Sequence, residues 1–363
     1  MRKEFFFRFF SFLFFFVFAF CSKNFSQSGG NSAFNFLKIP SSSRGASLGG
    51  SLISVNDTDI SLVPDNPSLL NAGMNNNFSL NYINYIADIN FIGAGYAKTI
   101  RKIGTVAAGI SYFNYGKFSQ TDIYDQKSGE FSAEDYSLNL SFSKKLHPQF
   151  ISGGTIKSIY SSMFENKSFG IAADWAGTFL SKNNSFIVAL VIKNMGSQVK
   201  TYSAGIREPM PLDVQFGFSK RIKYAPVRLQ FCLKNLQEWK LADQNKISQN
   251  KWIENHESFK NIFLAGANLG LHSSAGIEFF PLKSFALRLG YDHRRRIEMR
   301  LPERGGMAGF SFGVGIKILK INCNYAWSPY HFGGASNQIS ISSNLAGFTK
   351  RASTKEEKDE KIH

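Results

Sequence analysis

The chain has 363 residues, with 42 Lys plus Arg against 26 Asp plus Glu, a formal net charge of +16 and 37 Phe. This apolar and aromatic content excludes a disordered chain, and three cysteines exclude a disulfide-rich secreted module. A helical transporter needs several apolar runs of about 20 residues, whereas only one long apolar run exists, at the N-terminus. A transmembrane β-barrel remains compatible with these numbers, because only every second residue of its strands faces lipid.

Residues 1–27 have the parts of a secretory signal peptide: a basic start, an apolar stretch from Phe9 to Phe20, and a polar Ser/Gln segment. An N-terminal membrane anchor is one alternative, although the run is short for a span. A lipoprotein acylated at Cys21 is another, although Phe20 is bulky where a small residue is expected. Removal of residues 1–27 takes away 12 of the 37 Phe and lowers the net charge to +13. Export to the cell envelope is therefore expected.

From residue 78 to residue 348, apolar residues alternate with small or polar residues, which is the period of a β-strand. In one predicted strand Phe169 and Trp175 share the apolar face, while Gly170 and Asp174 share the other face. Soluble β-sandwiches alternate as well, so a soluble sandwich remains an alternative. The small, polar second face and the aromatic residues near strand ends favour a membrane barrel with a polar lumen.

The sequence accommodates fourteen strands, an even number as single-chain bacterial barrels require. Short predicted links alternate with longer ones, which matches short periplasmic turns and long outer loops and places both termini in the periplasm. Residues 259–270 are assigned to the longest link, as a short helix over the barrel mouth, because a fifteenth strand would break the parity. The long predicted links are 116–132, 161–167, 194–210, 235–271, 293–306 and 329–335.

The same pattern places the two cysteines that follow the signal peptide on different faces of the wall. Cys232 falls on a polar face and Cys323 on an apolar face, and an inward and an outward side chain cannot form a disulfide. No disulfide is therefore expected. The predicted organisation is a signal peptide at 1–27, an N-terminal plug segment at 28–77, a barrel at 78–348 and a charged, disordered tail at 349–363.

The most specific piece of the sequence is the segment 44–70, which reads Arg-Gly-Ala-Ser-Leu-Gly-Gly, then an aliphatic run with acidic residues, then Asn-Pro-Ser-Leu-Leu. This order resembles the N-terminal signature of the FadL-like outer-membrane barrels. With "NFLKIPSSSRGASLGG", "ALRLGYDHRRR" and "GGASNQISISSNL", its details are similar to the PorV/PorQ branch of type IX secretion proteins. The resemblance implies a fourteen-stranded barrel whose N-terminal segment packs into the lumen.

The residues expected to build this plug have structural roles. Asn66 and Pro67 are expected to set a tight turn, and Arg44 is expected to pair with a lumen carboxylate such as Asp174. Contact with a ligand is the alternative for these residues. The complete set of predicted plug residues is Arg44, Gly49, Gly50, Asn66 and Pro67.

The resemblance implies a non-enzymatic outer-membrane anchor of the type IX secretion attachment complex, without a cofactor. Such an anchor holds a PorZ-like surface protein beside the sortase PorU and the shuttle PorV, where cargo is joined to lipopolysaccharide. The alternative is a FadL-type channel for hydrophobic small molecules, which predicts an apolar lumen pocket and a lateral opening in the wall. The sequence contains no P-loop, dinucleotide-binding, nucleophile-elbow or zinc motif, and an exported barrel is not expected to meet nucleic acid.

A basic cluster in the predicted outer link 293–306 is the candidate contact with a partner or with lipopolysaccharide. Arginine binds phosphate bidentately, and it would equally suit an acidic protein face. A generic solvated loop is the alternative. Links 235–271 and 293–306 together form the predicted partner surface. The basic cluster consists of Arg294, Arg295, Arg296, Arg300 and Arg304.

Overall fold

The computed structural model of the chain describes residues 32–85, 89–121, 124, 126–203, 205–241, 257–299, 306–331 and 334–345. The predicted signal peptide at 1–27 and tail at 349–363 lie outside these residues, as do Arg300 and Arg304. Fourteen antiparallel strands form a closed barrel, in which sequential strands pair and β1 closes against β14. The predicted fold class, an all-β fourteen-stranded antiparallel barrel of the outer-membrane type, is confirmed. No helix in the described ranges is long and apolar enough to span a membrane.

Each predicted strand corresponds to one observed strand, although several extend further than expected. The alternation of apolar and polar residues therefore located every strand of the barrel. The strands are β1 Asn77–Asn84, β2 Asn90–Ile100, β3 Gly104–Thr121, β4 Lys127–His147, β5 Phe150–Met163, β6 Asn166–Leu180, β7 Phe186–Lys200, β8 Asp213–Arg221, β9 Val227–Leu233, β10 Ser273–Leu282, β11 Phe285–Asp292, β12 Phe310–Ile318, β13 Ile321–His331 and β14 Gly334–Asn344.

The two ends of the barrel differ in their links. At one end, here called the turn end, six links of two to five residues join successive strands, and Asn77 pairs with Asn344. The opposite, mouth end carries the loop helix Glu257–His272 after β9 and the arginine helix His293–Glu298 after β11. The helix predicted within 259–270 is thus confirmed. Short turns face the periplasm in such barrels, so the mouth end faces outwards.

The wall is taller on one side of the mouth than on the other. Strands β3 to β7 contain 14 to 21 residues, whereas β8 to β12 contain 7 to 10. The prediction of loops at 116–132 and 161–167 is wrong, because β3 continues to Thr121, β4 begins at Lys127, and a tight turn joins β5 to β6. Roughly 9–11 tilted residues span a bilayer, so these strands project into water, where pairing continues without apolar alternation.

The outer and inner faces of the wall have opposite chemistry. On β4 the outward Leu138 and Leu140 are exposed, whereas the inward Ser137 and Ser141 are buried. The apolar outer band suits lipid, and this architecture supports a location in the outer membrane. Inward hydroxyl and amide groups lose contact with bulk water, so each needs a hydrogen-bond partner inside the barrel. Both described cysteines are free, with Cys232 buried inside.

Arginine in place of Leu140 tests the assignment of the outer face. Leu140 is 56% exposed within the apolar band of β4, and a charge near the bilayer midplane costs roughly 2–4 kcal/mol. We expect Leu140→Arg to lower the free energy of unfolding by about that amount, measured by urea unfolding in phospholipid vesicles. Ser132→Arg is the control, because Ser132 lies on the same face of β4 beyond the band. Equal losses in the two variants would contradict the assignment.

Candidate functional site

Residues 32–76, here called the lumen segment, lie inside the barrel and form hydrogen bonds with part of its polar inner face. The amide of Ser43 donates to Ser340 Oγ on β14 (3.0 Å), and the amide of Gly49 donates to Ser311 Oγ on β12 (3.1 Å). Hydroxyl groups of the wall that would otherwise be buried without partners therefore bind the backbone of the segment.

The lumen segment crosses the barrel from one end to the other. Ala33 donates to the carbonyl of Pro209, in the mouth-end link between β7 and β8 (3.0 Å). The segment then reaches the turn end, where β1 begins at Asn77. Strand parity predicts both termini at the turn end, but the described N-terminal residues lie at the mouth end, because the segment spans the lumen before the first strand starts.

Short helical turns give the lumen segment its local structure. Asn66 Oδ1 accepts from the amide of Ser68 (2.8 Å), Asn66 Nδ2 donates to the carbonyl of Ile53 (2.7 Å), and Pro67 occupies the first position of the turn. The tight turn predicted at Asn66 and Pro67 is therefore confirmed. The helical elements are the α-helix Ser43–Ala46 and the 3-10 turns Asn35–Lys38, Ile60–Leu62, Pro67–Leu69 and Ala72–Met74.

The glycine pair after this α-helix is required by its backbone. Gly49 and Gly50 have φ values of +85° and +88°, a left-handed conformation that side chains rarely adopt. A Cβ on Gly49 would also lie 2.9 Å from the carbonyl oxygen of Tyr291 on β11. The predicted plug glycines thus permit the segment to turn while its backbone touches the wall.

Glu278 on β10 is the centre of a buried ion cluster that ties the lumen segment to the wall. Its carboxylate accepts from Arg44 Nε and Nη2 (2.9 and 3.1 Å), from Arg228 Nη1 (2.8 Å) and from Arg288 Nε (2.9 Å). Glu278 is 1% exposed, so water does not screen these interactions. Arg44 comes from the lumen segment, whereas the other two arginines come from β9 and β11.

The second side of Arg44 faces two carboxylates of its own segment. Its Nη1 lies 2.7 Å from Asp57 and 3.3 Å from Asp59, so three arginines face three carboxylates and the cluster is neutral. Burial raises the pKa of Asp57, but Arg44 and Arg228 outweigh burial and hold that pKa below its usual value. Arg44 pairs with carboxylates in the lumen, as predicted, but its partners are Glu278, Asp57 and Asp59 rather than Asp174, the carboxylate named as an example.

Asp174 belongs to a second buried network, on the other side of the lumen. Lys157 Nζ lies 2.7 Å from Asp174 and donates to Asn194 Oδ1 (2.8 Å), while Lys193 lies 3.3 Å from Asp65 of the lumen segment. Burial raises the pKa of Asp65, although Lys193 opposes the shift. Within the described ranges no group of three His, Cys, Asp or Glu side chains is arranged to hold a metal ion.

Above these networks, at the mouth end, the interior becomes apolar. The ring centroid of Phe113 lies 6.2 Å from the ring centroid of Phe36, 6.4 Å from that of Phe91 and 4.7 Å from that of Tyr115. We call this group the outer aromatic cluster. Its buried members are Phe34, Phe36, Ile83, Phe91, Phe113, Ile159 and Met210, with the partly buried Tyr85 and Tyr115 packed against them.

Phe34 places its ring in this cluster at a conformational cost. Its φ is 55°, in the left-handed region, which costs a non-glycine residue roughly 1–2 kcal/mol. The ring packs on Gly170 of β6, where a Cβ would lie 2.5 Å from the ring, and its centroid is 6.3 Å from that of Tyr202. Packing of the ring therefore holds a strained backbone in place.

The wall beside the cluster is incompletely paired. The last pair between β7 and β8 is Lys193 with Asp213, yet β7 continues to Lys200 and pairs there only with β6. The link after β7 covers this edge through two side-chain bonds: Asn194 Nδ2 donates to the carbonyl of Pro211 (3.0 Å), and the amide of Glu208 donates to Gln198 Oε1 (2.8 Å). Prolines lack the N–H that a ladder needs, so no strand partner of this edge lies in the described ranges.

Three of the arginines predicted as a contact cluster, Arg294, Arg295 and Arg296, are described by the structure and lie in the arginine helix. Asp292 Oδ1 accepts from the amide of Arg295 (2.9 Å) and so starts the arginine helix, which buries the Arg295 side chain. Arg294 Nε binds Glu298 (2.7 Å), and Arg296 donates to carbonyls of the link before β12. Residues 293–298 of the predicted link therefore form a short capped helix. Contact of these arginines with a partner stays a prediction.

Sequence reasoning did not single out Phe34, Phe36 or Glu278. Glu278 lies between the apolar Ile277 and Phe279 in the sequence of β10. An isolated carboxylate in a lipid-spanning strand is a signal of a buried charged site, and it was available in the sequence. The two phenylalanines lie in a segment without periodicity, so no pattern indicated that their rings enter the lumen.

No protein-family model and no curated protein matches the sequence. Solved outer-membrane channels share the fold. A deletion mutant of the monoaromatic hydrocarbon channel TodX matches with a TM-score of 0.50 and 11% identity over 85% of this chain and 98% of the other. The Pseudomonas putida toluene transporter TodX matches with a TM-score of 0.49 and 11% identity, over 83% of this chain and 97% of the other. A Pseudomonas aeruginosa FadL homologue matches with a TM-score of 0.46 and 9% identity, over 84% of this chain and 98% of the other. At this identity the likeness establishes the fold alone.

Replacing Glu278 tests the dependence of the lumen on the ion cluster. Glu278→Gln leaves three buried arginines around a neutral amide, and removal of one partner of a buried ion pair costs about 3–5 kcal/mol. We expect that loss in the free energy of unfolding, measured in vesicles by urea titration. Glu130→Gln removes an exposed ion pair with Lys117 and is expected to cost less than about 1 kcal/mol. Similar small losses in both variants would refute the structural role of the cluster.

Proposed function

We propose that the barrel is an outer-membrane channel that admits small hydrophobic molecules into the outer aromatic cluster. The observation that carries this proposal is the buried apolar cluster at the mouth end, filled by the chain's own Phe34 and bordered by the unpaired edge of β7. The ion clusters below it block passage along the barrel axis. A hydrophobic molecule therefore leaves sideways, past the link between β7 and β8, into the outer leaflet.

The physical basis of this route is that ring packing holds the Phe34 side chain, whereas hydrogen bonds of its neighbours Ala33 and Asn35 hold the backbone beside it. Its turn has no side-chain cap, and rings rather than ion pairs fix it. An apolar molecule that takes the place of the ring keeps the buried apolar contacts and releases the left-handed strain. Transport of aromatic hydrocarbons by solved barrels of the same fold supports this proposal.

Truncation of Phe34 tests the channel. Phe34→Ala opens an apolar cavity, and such cavities stay dry and bind benzene-sized molecules. We expect toluene to bind the purified variant in detergent about tenfold more tightly than the wild type, a difference of about 1.4 kcal/mol, measured by calorimetry. Phe142→Ala, which removes the same ring from the outer face, is the control.

Uptake by cells provides the functional measurement for the same proposal. Deletion of the gene is expected to slow the entry of toluene several-fold relative to the complemented strain, because the barrel supplies the lateral route. The channel would be excluded if toluene entered the deletion strain as fast as the complemented strain and bound the wild type, Phe34→Ala and Phe142→Ala with equal affinity.

The second candidate is the non-enzymatic surface anchor of type IX secretion, in which a PorQ-like barrel holds a PorZ-like protein beside PorU and PorV. The resemblance of the segment 44–70 favours it, and so does an exposed apolar surface on the short side of the mouth. Phe263 of the loop helix, Ile297 of the arginine helix and Met307 are each about half exposed. Exposed apolar side chains at a mouth end suit a protein partner.

Serine substitutions on this surface test the anchor. The triple variant Phe263→Ser, Ile297→Ser and Met307→Ser removes exposed apolar area, so the barrel is expected to fold while the PorZ-like protein is released from the cell surface. Immunoblots of intact cells and medium measure its retention. Tyr124→Ser changes an exposed aromatic on the tall side and serves as the control. Full retention by the triple variant would remove this surface as the contact.

A further inference from the structure

Asp135 on β4 is a buried carboxylate at the edge of the outer aromatic cluster. Its side chain is fully buried, and its register partners are Phe113 and Ser161. Tyr115 donates its hydroxyl to Asp135 Oδ2 at 2.6 Å. The hydroxyl of Ser161 on β5 also lies beside the carboxylate, but within the described residues Asp135 Oδ1 makes no hydrogen bond of normal distance and angle. An unpartnered buried carboxylate oxygen is costly and favours a donor that can reach it.

The other buried carboxylates show what Asp135 lacks. Each of them has a cation at or within 3.3 Å: Lys193 for Asp65, Lys157 for Asp174, Arg44 for Glu278 and Lys234 for Asp292. Among the described residues no Lys, Arg or His forms an ion pair with Asp135. Among the described residues, the buried carboxylates therefore have cations of the chain itself beside them, except Asp135 at the aromatic cluster.

The surroundings of Asp135 match the chemistry of an organic cation. Tyr202 donates its hydroxyl to Ser161 Oγ (2.7 Å), and its ring packs near Phe34, so aromatic rings border the carboxylate. Aromatic faces attract ammonium groups, most strongly where water is excluded. An apolar body fits the ring cluster, while a positive head completes the hydrogen bonding of Asp135.

We propose that the outer aromatic cluster binds hydrophobic molecules that carry a protonated amine, with the ammonium at Asp135 Oδ1 and the apolar body in the space held by Phe34. This inference rests on the proposed channel and specifies its ligand class. A ligand carboxylate is disfavoured at the same site, because two carboxylates at close range repel. The site therefore discriminates against fatty acids and similar anions.

Three probes that share a benzyl group test the proposal on the purified barrel in detergent: benzylamine, toluene and phenylacetate. Calorimetry at neutral pH is expected to show benzylamine binding the wild type about tenfold more tightly than phenylacetate. Asp135→Asn is isosteric and is expected to abolish this preference while the toluene affinity stays unchanged. Glu134→Gln, on the outer face of the same strand, is expected to keep the preference.

The outcomes separate this inference from the channel itself. If toluene binds but the wild type does not prefer benzylamine, the amine site is refuted and the channel stands. If none of the probes binds, the channel is refuted and the amine site with it. Should Asp135→Asn not fold, Tyr115→Phe is the second variant, because it keeps the Asp135 carboxylate and frees its Oδ2. This variant must still prefer benzylamine to phenylacetate. Loss of that preference would overturn the proposal.

Discussion

The neutral ion cluster around Glu278 is the constraint on which the rest of the interior depends. Arg44, Asp57 and Asp59 come from the lumen segment, whereas Arg228, Glu278 and Arg288 come from β9, β10 and β11. A buried ion pair adds little stability over an apolar core, but loss of one partner leaves a charge that water cannot reach. Neither the wall nor the segment can therefore keep its charges alone. The lumen segment is a part of the barrel's fold, and the register of the wall strands fixes its position.

Stability is consequently uneven along the lumen. Ion pairs and short polar bonds hold the middle of the segment, whereas ring packing and a strained Phe34 hold its mouth end. Regions with few polar ties open at the lowest free energy, and binding residues are drawn from such regions. The incomplete pairing of β7 lies at the same level, so the least restrained part of the segment adjoins the least restrained part of the wall.

Period-two alternation predicted every strand because lipid imposes it on the outer face. It failed at the tall ends of β3 and β4, where water contacts both faces and the pattern disappears. The sequence alone could not identify the partner of Arg44. Several inward positions carry carboxylates, and only the register of the fourteen strands decides which of them lies near Arg44. The arginine helix was not predicted, although the sequence carries a local signal for it. Asp292 is the N-cap residue, three positions before the buried Arg295. The rings of Phe34 and Phe36 carried no periodic signal at all.

The two candidate functions meet at one set of contacts. Lys234 donates to the carbonyl of Gly49 in the lumen segment and also pairs with Asp292, which caps the arginine helix at the mouth. Lys234 thus joins the lumen segment to the arginine helix at the mouth. A contiguous contact does not by itself transmit a change, because transmission requires an element with two arrangements that both sites bias. The segment around Phe34 is held in one strained arrangement by ring packing. Between Phe34 and Gly49 the chain contains Arg44, whose buried ion pairs resist movement. A change at the aromatic cluster is therefore expected to leave the shape of the mouth surface unchanged.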